Sequence, residues 1–114
     1  MTENEVKTSI KPAEKGSNSW LGRYAVSVAG HDAGRVYVIV GIAALNAAQV
    51  PQALLLADGR SRKAAKPKLK KRCHIRLLGG CDEQLAAKLA AGGRATDAEL
   101  VRSVKSCKAN YALL

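Results

Sequence analysis

Alternation of apolar and polar side chains predicts two β-strands at the start of the folded part of the chain. In residues 22–28, tyrosine and valine recur at every second position, which is typical of a half-buried strand. Residues 35–42 form the most β-prone segment of the chain. The face of this second strand that we expect to be buried carries Val36, Val38 and Val40.

The six residues between these strands have the composition of a tight turn. Gly30 and Gly34 allow positive backbone angles without steric cost, and Asp32 tolerates tight local geometry. A strand, a glycine-bearing turn and a second strand together predict a β-hairpin.

Further short strands are predicted beyond the hairpin. Residues 43–52 read as a longer connection, and residues 53–57 as a third strand that ends at the turn signal Asp58-Gly59. A short fourth segment is predicted at 61–64, and a last strand at 73–78, closed by a glycine pair. Several short strands joined by tight turns favour a small β-barrel over residues 20–78, because closure removes exposed edges.

The C-terminal part, residues 81–114, changes to helical periodicity. Leu85 and Leu89 lie on one helical face, and a glycine pair stops that helix at residues 92–93. Thr96 and Glu99 then fit a capping box, which opens a second helix. Two short helices therefore follow the barrel, where they could pack against it, pair with each other or dock on a partner.

The N-terminal segment and the apolar runs indicate a soluble cytoplasmic protein. Residues 1–19 are polar and without period, which predicts a disordered leader, and they contain no apolar segment of a secretory signal. The longest apolar run, 36–45, is about half of the ~20 residues that a membrane-spanning helix needs. Three cysteines without a CxxC motif favour neither a disulfide framework nor a metal site.

Charge changes this picture most strongly. The chain carries a formal net charge of +10, and residues 58–76 hold nine of its nineteen lysines and arginines. After Asp58 no acidic residue occurs until Asp82. Such a block repels itself unless an anionic surface neutralises it, so it predicts a phosphate-rich partner. Because apolar segments flank the block, we expect the charge to be displayed on a folded surface.

The first hairpin resembles a KOW motif, the strand–loop–strand unit of SH3-like barrels in ribosomal proteins and transcription elongation factors. The hairpin of residues 22–41 carries this resemblance. The stretch 56–63, which contains Asp58-Gly59-Arg60, then Lys66-Pro67-Lys68 and His74 extend the match to roughly residues 20–78. In that order the chain resembles bacterial KOW-domain RNA-binding proteins, which are relatives of a large-subunit ribosomal protein family of archaea and eukaryotes. The resemblance implies an SH3-like β-barrel that binds RNA, in most members ribosomal RNA, without catalysis and without a cofactor.

The RNA-contacting residues follow partly from the resemblance and partly from charge. By the motif, Gly34 takes the hairpin glycine position, and His31 and Arg35 lie in or beside the loop that meets RNA. Tyr37 is a candidate for stacking on a base, although a tyrosine in this position more often packs in the barrel. Gly30, Gly34 and Gly59 are predicted structural turn residues. The predicted phosphate contacts are Arg60, Arg62, Lys63, Lys66, Lys68, Lys70, Lys71 and Arg72.

Two classes of function remain open at this level. No nucleophile–base arrangement, paired catalytic carboxylates or phosphate loop occurs, so we expect neither an enzyme nor a small-molecule substrate. The preferred interpretation is an RNA-binding protein that is associated with the ribosome. Ribosomal proteins are a further candidate partner, and no membrane partner is expected. The alternative is a protein-interaction module that grips an acidic component of transcription or translation.

Overall fold

The computed structural model describes residues 20–110, so the predicted disordered leader, residues 1–19, lies outside the described residues. Five strands come first and two helices follow. The strands are β1 Arg23–Ser27, β2 Val36–Leu45, β3 Pro51–Ala57, β4 Lys68–Lys71 and β5 Ile75–Cys81; the helices are α1 Glu83–Ala90 and α2 Asp97–Asn110. A single 3-10 turn, Arg72–His74, separates β4 from β5.

The strands form one antiparallel sheet in the order β4-β3-β2-β1-β5. This confirms the expected mainly β fold with two C-terminal helices. Strands β4 and β5 are the edges, and no ladder joins them within residues 20–110, so the sheet is not closed by pairing.

The predicted β1–β2 hairpin is confirmed. Tyr24 pairs with Val38 and Val26 with Val36 across the two strands. Gly34, at the end of the connecting turn, has a φ of +91°, and its amide donates to the carbonyl of Ser27 over 2.7 Å. The turn therefore requires the positive φ that glycine adopts at little cost.

The predicted long connection at 43–52 is wrong, because β2 continues to Leu45 and β3 begins at Pro51. Only residues 46–50 form the loop. The side-chain oxygen of Asn46 accepts the amides of Ala48 and Val50 over 2.9 and 3.0 Å, which closes the loop locally. An alanine-rich sequence gave no strand signal here, and pairing along β3 decided the conformation instead.

The ends of the sheet also differ from the predictions. Residues 61–64 form a loop, and the fourth strand is Lys68–Lys71, inside the basic run. The last strand begins at Ile75 after the 3-10 turn and continues through both glycines to Cys81, where it pairs with Arg23 of β1. The Gly79-Gly80 pair was expected to end the strand, but ladder hydrogen bonds to β1 extend it.

Both faces of the sheet are buried. The helices cover one face, where Leu100 of α2 packs in one buried cluster with Tyr24 and Val38 of the strands. The opposite face buries Tyr37 and Ile39. The predicted valine face of β2 therefore belongs to one of two buried clusters, and the other face of β2 belongs to the second. This second cluster draws on strands β1, β2, β3 and β5, and register shifts in the β1–β5 and β2–β3 ladders provide the local bends that such wrapping requires.

The second helix begins at the predicted capping box, and the first begins at Glu83. Asp82 caps α1 by accepting the amide of Leu85 over 3.0 Å. Thr96 and Glu99 form the reciprocal capping box, with amide contacts of 2.9 and 3.1 Å. Helix α2 packs on the sheet, and its Ser103 hydroxyl lies 3.1 Å from the Tyr24 hydroxyl in the buried layer. Neither helix in residues 20–110 is long and apolar enough to cross a membrane.

Candidate nucleic-acid interface

The loop that follows β3 is organised by the buried carboxylate of Asp58. One carboxylate oxygen accepts the backbone amides of Arg60 and Arg62 over 3.0 and 2.9 Å, and the other accepts the Ser61 hydroxyl over 2.8 Å. Burial alone would raise the pKa of Asp58, but these hydrogen bonds outweigh it and lower the pKa. The carboxylate is thus ionised and directed inward, and the loop is held in one conformation.

The same loop is fixed against the first turn of α2. The Ala64 amide donates to the Asp97 carboxylate over 2.7 Å. Gly59 has a φ of +79°, and a Cβ atom built on it would collide with the Asp97 carbonyl oxygen and lie 2.9 Å from Val101 Cγ2. Glycine is therefore required at position 59 both by the backbone angle and by the close approach of the helix.

Four predicted phosphate contacts lie on this loop and are exposed, namely Arg60, Arg62, Lys63 and Lys66. Arg35 extends the surface, since its Nη1 lies 3.9 Å from the Asp58 carboxylate while its side chain is 49% exposed. Of the two acids at this loop, Asp58 is buried and Asp97 is half-buried and bonded to Ala64, whereas the cations are exposed. Hence the loop presents positive charge on an ordered backbone.

Asp32 organises a second network, beneath the β1–β2 turn. Its carboxylate accepts the Lys70 ammonium over 2.7 Å, the Ser27 hydroxyl over 2.8 Å and the Tyr37 hydroxyl over 2.8 Å. Lys70 also donates to the Ala29 carbonyl over 2.8 Å. This ties strand β4 to the turn that carries His31, which is itself exposed.

The network corrects the prediction for Lys70 and weakens that for Lys68. The Lys70 side chain is only 8% exposed, and its charge is neutralised by Asp32, so it is not available to RNA. The Lys68 side chain is also directed toward Asp32, with its ammonium 3.5 Å from the carboxylate, and it is half-buried. Strand alternation explains this, because positions 68 and 70 share a face whereas 71 lies on the other.

Tyr37 is also excluded as a base-stacking residue. Only 1% of the residue is exposed, and its hydroxyl is used by Asp32. Burial and the adjacent carboxylate raise the pKa of Tyr37 to about 12. For Asp32 burial acts to raise the pKa, but hydrogen bonds from Lys70, Tyr37 and Ser27 hold it well below its usual range.

Lys71 and Arg72 are exposed at the end of β4, and Arg72 lies beside Trp20. The Arg72 guanidinium carbon lies 6.0 Å from the centre of the Trp20 ring, and that of Arg23 lies 5.7 Å from it. These are cation–π distances. The fold thus divides the basic run into three parts. These are the loop after β3, the inward-facing pair Lys68 and Lys70, and the exposed end of β4 near Trp20.

Sequence reasoning missed two basic residues of α2. Lys105 and Lys108 line a cleft together with Arg35 and Arg60. Their three-residue spacing places both on one helical face, which a helical wheel would show. Only the packing of α2 on the sheet brings that face to the loop.

The described residues offer little besides charge at this surface. Within residues 20–110 no group of three or more histidine, cysteine or acidic side chains is arranged to hold a metal ion. The three cysteines are free thiols, with Cys107 buried and its pKa raised by that burial. Chemically, the surface can neutralise and position an anion.

Neither a scan against protein-family models nor a search of curated proteins finds a match to this chain.

Proposed function

We propose that the protein is a non-enzymatic RNA-binding protein that associates with ribosomal RNA. One observation carries the proposal: the loop after β3 displays exposed arginines on a backbone that an inward-facing carboxylate holds rigid. A solubilising charge run needs no such internal scaffold, whereas a surface that fits a defined phosphate arrangement does.

The fold supports a barrel of the SH3-like, KOW type as part of this proposal. The five strands are short and antiparallel, register shifts bend the sheet, and strands β1, β2, β3 and β5 share one buried cluster. Short, bent antiparallel strands around a shared buried cluster are features of small barrels, although within residues 20–110 the edge strands β4 and β5 do not pair with each other. The positive φ of Gly34 agrees with the role that the KOW resemblance gives to it.

Recognition in this proposal depends on phosphate contacts. Within residues 20–110, Tyr24 and Tyr37 are buried and Trp20 is partly buried against two guanidinium groups, so the described part of the chain leaves little aromatic surface for stacking on bases. Arginine and lysine contacts to phosphates position a protein without reading sequence. We therefore expect broad RNA affinity with a steep dependence on salt.

One feature favours a second candidate, a protein-interaction module. No charged side chain occurs between Arg35 and Asp58. The distal end of the β2–β3 hairpin in this stretch is exposed, including Leu45 at 42%. An uncharged exposed end could contact a protein while the basic loop grips its acidic surface.

The proposal is tested by measuring RNA affinity as a function of salt for R60A/R62A and for a control, R94A/R102A. The control removes the same charge from two other exposed positions, of which Arg102 lines a different hollow near Asp82 and Glu83. Loss of two phosphate contacts should flatten the slope of log affinity against log salt by roughly 1.4 to 1.8. The control should keep the wild-type slope.

Equal slopes for wild type and R60A/R62A would contradict the phosphate-contact assignment. Sedimentation of cell lysate through a sucrose gradient then separates the two candidates. Comigration with the large ribosomal subunit that ribonuclease abolishes supports RNA binding. A small ribonuclease-resistant complex supports the protein-interaction module.

A further inference from the structure

A cleft of about 260 Å³ lies between the sheet and helix α2. Three segments far apart in the sequence build it. Arg35 and Val36 come from the start of β2, and Asp58 and Arg60 from the loop after β3. The α2 side consists of Val101, Val104, Lys105 and Lys108.

The lining is strongly unbalanced in charge. Four cations face one carboxylate, and that carboxylate is already bonded to loop amides, to a hydroxyl and, at 3.9 Å, to Arg35. Within the described part of the chain, Arg60, Lys105 and Lys108 have no acidic partner. Cations that converge in this way concentrate an anion between low-dielectric walls.

Helix stability alone does not account for this arrangement. A cation in the last turn of α2 interacts favourably with the helix dipole, which explains Lys108. It does not explain Lys105, or the two arginines that other elements bring to the same cleft. The floor is apolar as well, because Val101 and Val104 follow the helical spacing that places them beside the two lysines.

We infer that this cleft holds one nucleotide of the bound RNA. The inference rests on the proposed function and assigns to it a site built by α2. The phosphate lies against Lys105, Lys108 and Arg60, and the ribose or base lies on the valine floor. The guanidinium plane of Arg35 can stack on an unpaired base. The volume is below the ~300 Å³ at which sites for whole small ligands begin, so the cleft encloses only part of the nucleotide and leaves the rest on the open side.

The affinity test compares K105Q/K108Q with R94Q/R102Q. Arg102 is the matched position because it is an exposed cation of the same helix that faces a different hollow, near Asp82 and Glu83. The probe is a fluorescein-labelled RNA stem–loop with unpaired adenosines and uridines. K105Q/K108Q should bind it about tenfold more weakly at ~0.15 M salt, with a slope lowered by roughly 1.4. R94Q/R102Q should bind within about twofold of wild type if only the cleft matters.

Methyl NMR locates the ligand independently of affinity. The methyl signals of Val36, Val101 and Val104 should shift saturably when the same stem–loop is added to the full chain. Adenosine monophosphate and inorganic phosphate serve as separate titrants. Thermal melts of both double variants, expected to match wild type, show that the substitutions leave the fold intact.

The outcomes separate this inference from the proposed function. If K105Q/K108Q binds the stem–loop as wild type does and the valine methyls stay unshifted, the inference is wrong while the RNA-binding proposal stands. If the wild type does not bind the stem–loop or total ribosomal RNA, both are wrong. If adenosine monophosphate or phosphate shifts the methyls but RNA does not, the cleft takes a free phosphorylated ligand, which overturns the RNA assignment.

Discussion

At the scale of single residues, Asp32 shows how one carboxylate can remove charges from a basic surface. It accepts hydrogen bonds from Lys70, Tyr37 and Ser27 at the base of the β1–β2 turn. The pair with Lys70 is nearly enclosed, so bulk water has little access to either charge. A buried pair is weak as a source of net stability, but losing one partner is costly.

Replacing Asp32 with asparagine should therefore lower the free energy of unfolding by about 3 kcal/mol, because Lys70 keeps its charge without a counterion. Urea denaturation measures this. The control is K68Q, which removes a longer, half-exposed contact to the same carboxylate and should cost less than about 1 kcal/mol. Similar losses for both variants would show that Lys70 has no special dependence on Asp32.

The pH dependence of stability should follow the same network. The pKa of Asp32 is lowered in the folded state, so its contribution is present above about pH 4, the unfolded value, and is lost as the pH falls below it. The pKa of Tyr37 is raised to about 12, so its contribution is present below about pH 10 and is lost between pH 10 and 12.

The free energy of unfolding, measured from pH 2 to pH 12, should thus decline at both ends. The decline in acid should be gentler for D32N, and the decline in alkali should be gentler for Y37F. Part of each decline should remain, since the pKa of Asp58 is also lowered and that of Tyr24 raised. An acid limb unchanged in D32N would contradict the lowered pKa of Asp32.

At the scale of elements, the contact between the loop after β3 and the start of α2 depends on Gly59. Gly34 offers a comparison, because it also has a positive φ but has open space where a Cβ atom would lie. The two glycines therefore separate the cost of the backbone angle from the cost of a collision.

Gly34→Ala should lower the free energy of unfolding by about 1–2 kcal/mol, the cost of the left-handed angle alone. Gly59→Ala should cost more, because the added carbon also pushes the loop away from Asp97 and Val101. Denaturation gives both values, and RNA affinity is the second measurement. G59A should bind more weakly than G34A, since Arg60 and Arg62 move with the loop. Equal losses in the free energy of unfolding for G34A and G59A would mean that α2 moves away from the added carbon at no cost.

At the scale of the whole molecule, sheet and helices share one core. Leu100 of α2 is fully buried in the same cluster as Tyr24 and Val38 of the sheet. The residue pair Tyr24 and Ser103 joins the first strand to the last helix. The predicted boundary between a barrel at 20–78 and a helical extension at 81–114 therefore does not separate two independent cores.

Leu100→Ala should lower the free energy of unfolding by about 2–5 kcal/mol. Leu69→Ala, at a position that is 61% exposed, should change it by less than about 0.5 kcal/mol. Trp20 packs against the cluster on the opposite face of the sheet, so its fluorescence reports the strands, while far-UV circular dichroism reports the helices as well. The two transitions should coincide in wild type. Helices that melt before the tryptophan signal changes would contradict a shared core.

The sequence alone determined those features that depend on neighbours a few residues apart. The β1–β2 hairpin and the capping box of Thr96 and Glu99 could be predicted, since turns and caps are closed by residues that are close in the sequence. The concentration of cations after Asp58 is visible in the sequence itself. The extension of β2 to Leu45 was not, because alanines carry little strand preference and the pairing partner lies across a turn.

Only the tertiary structure decided which cations remain free. Alternation along β4 places Lys70 and Lys71 on opposite faces, but β4 was not predicted, and the sequence did not indicate that Asp32, 38 positions earlier, lies beneath Lys70. Likewise, Lys105 and Lys108 join Arg35 and Arg60 only because α2 packs across the sheet. The sequence gives the number of charged side chains, whereas burial and long-range pairing determine which of them can contact a ligand.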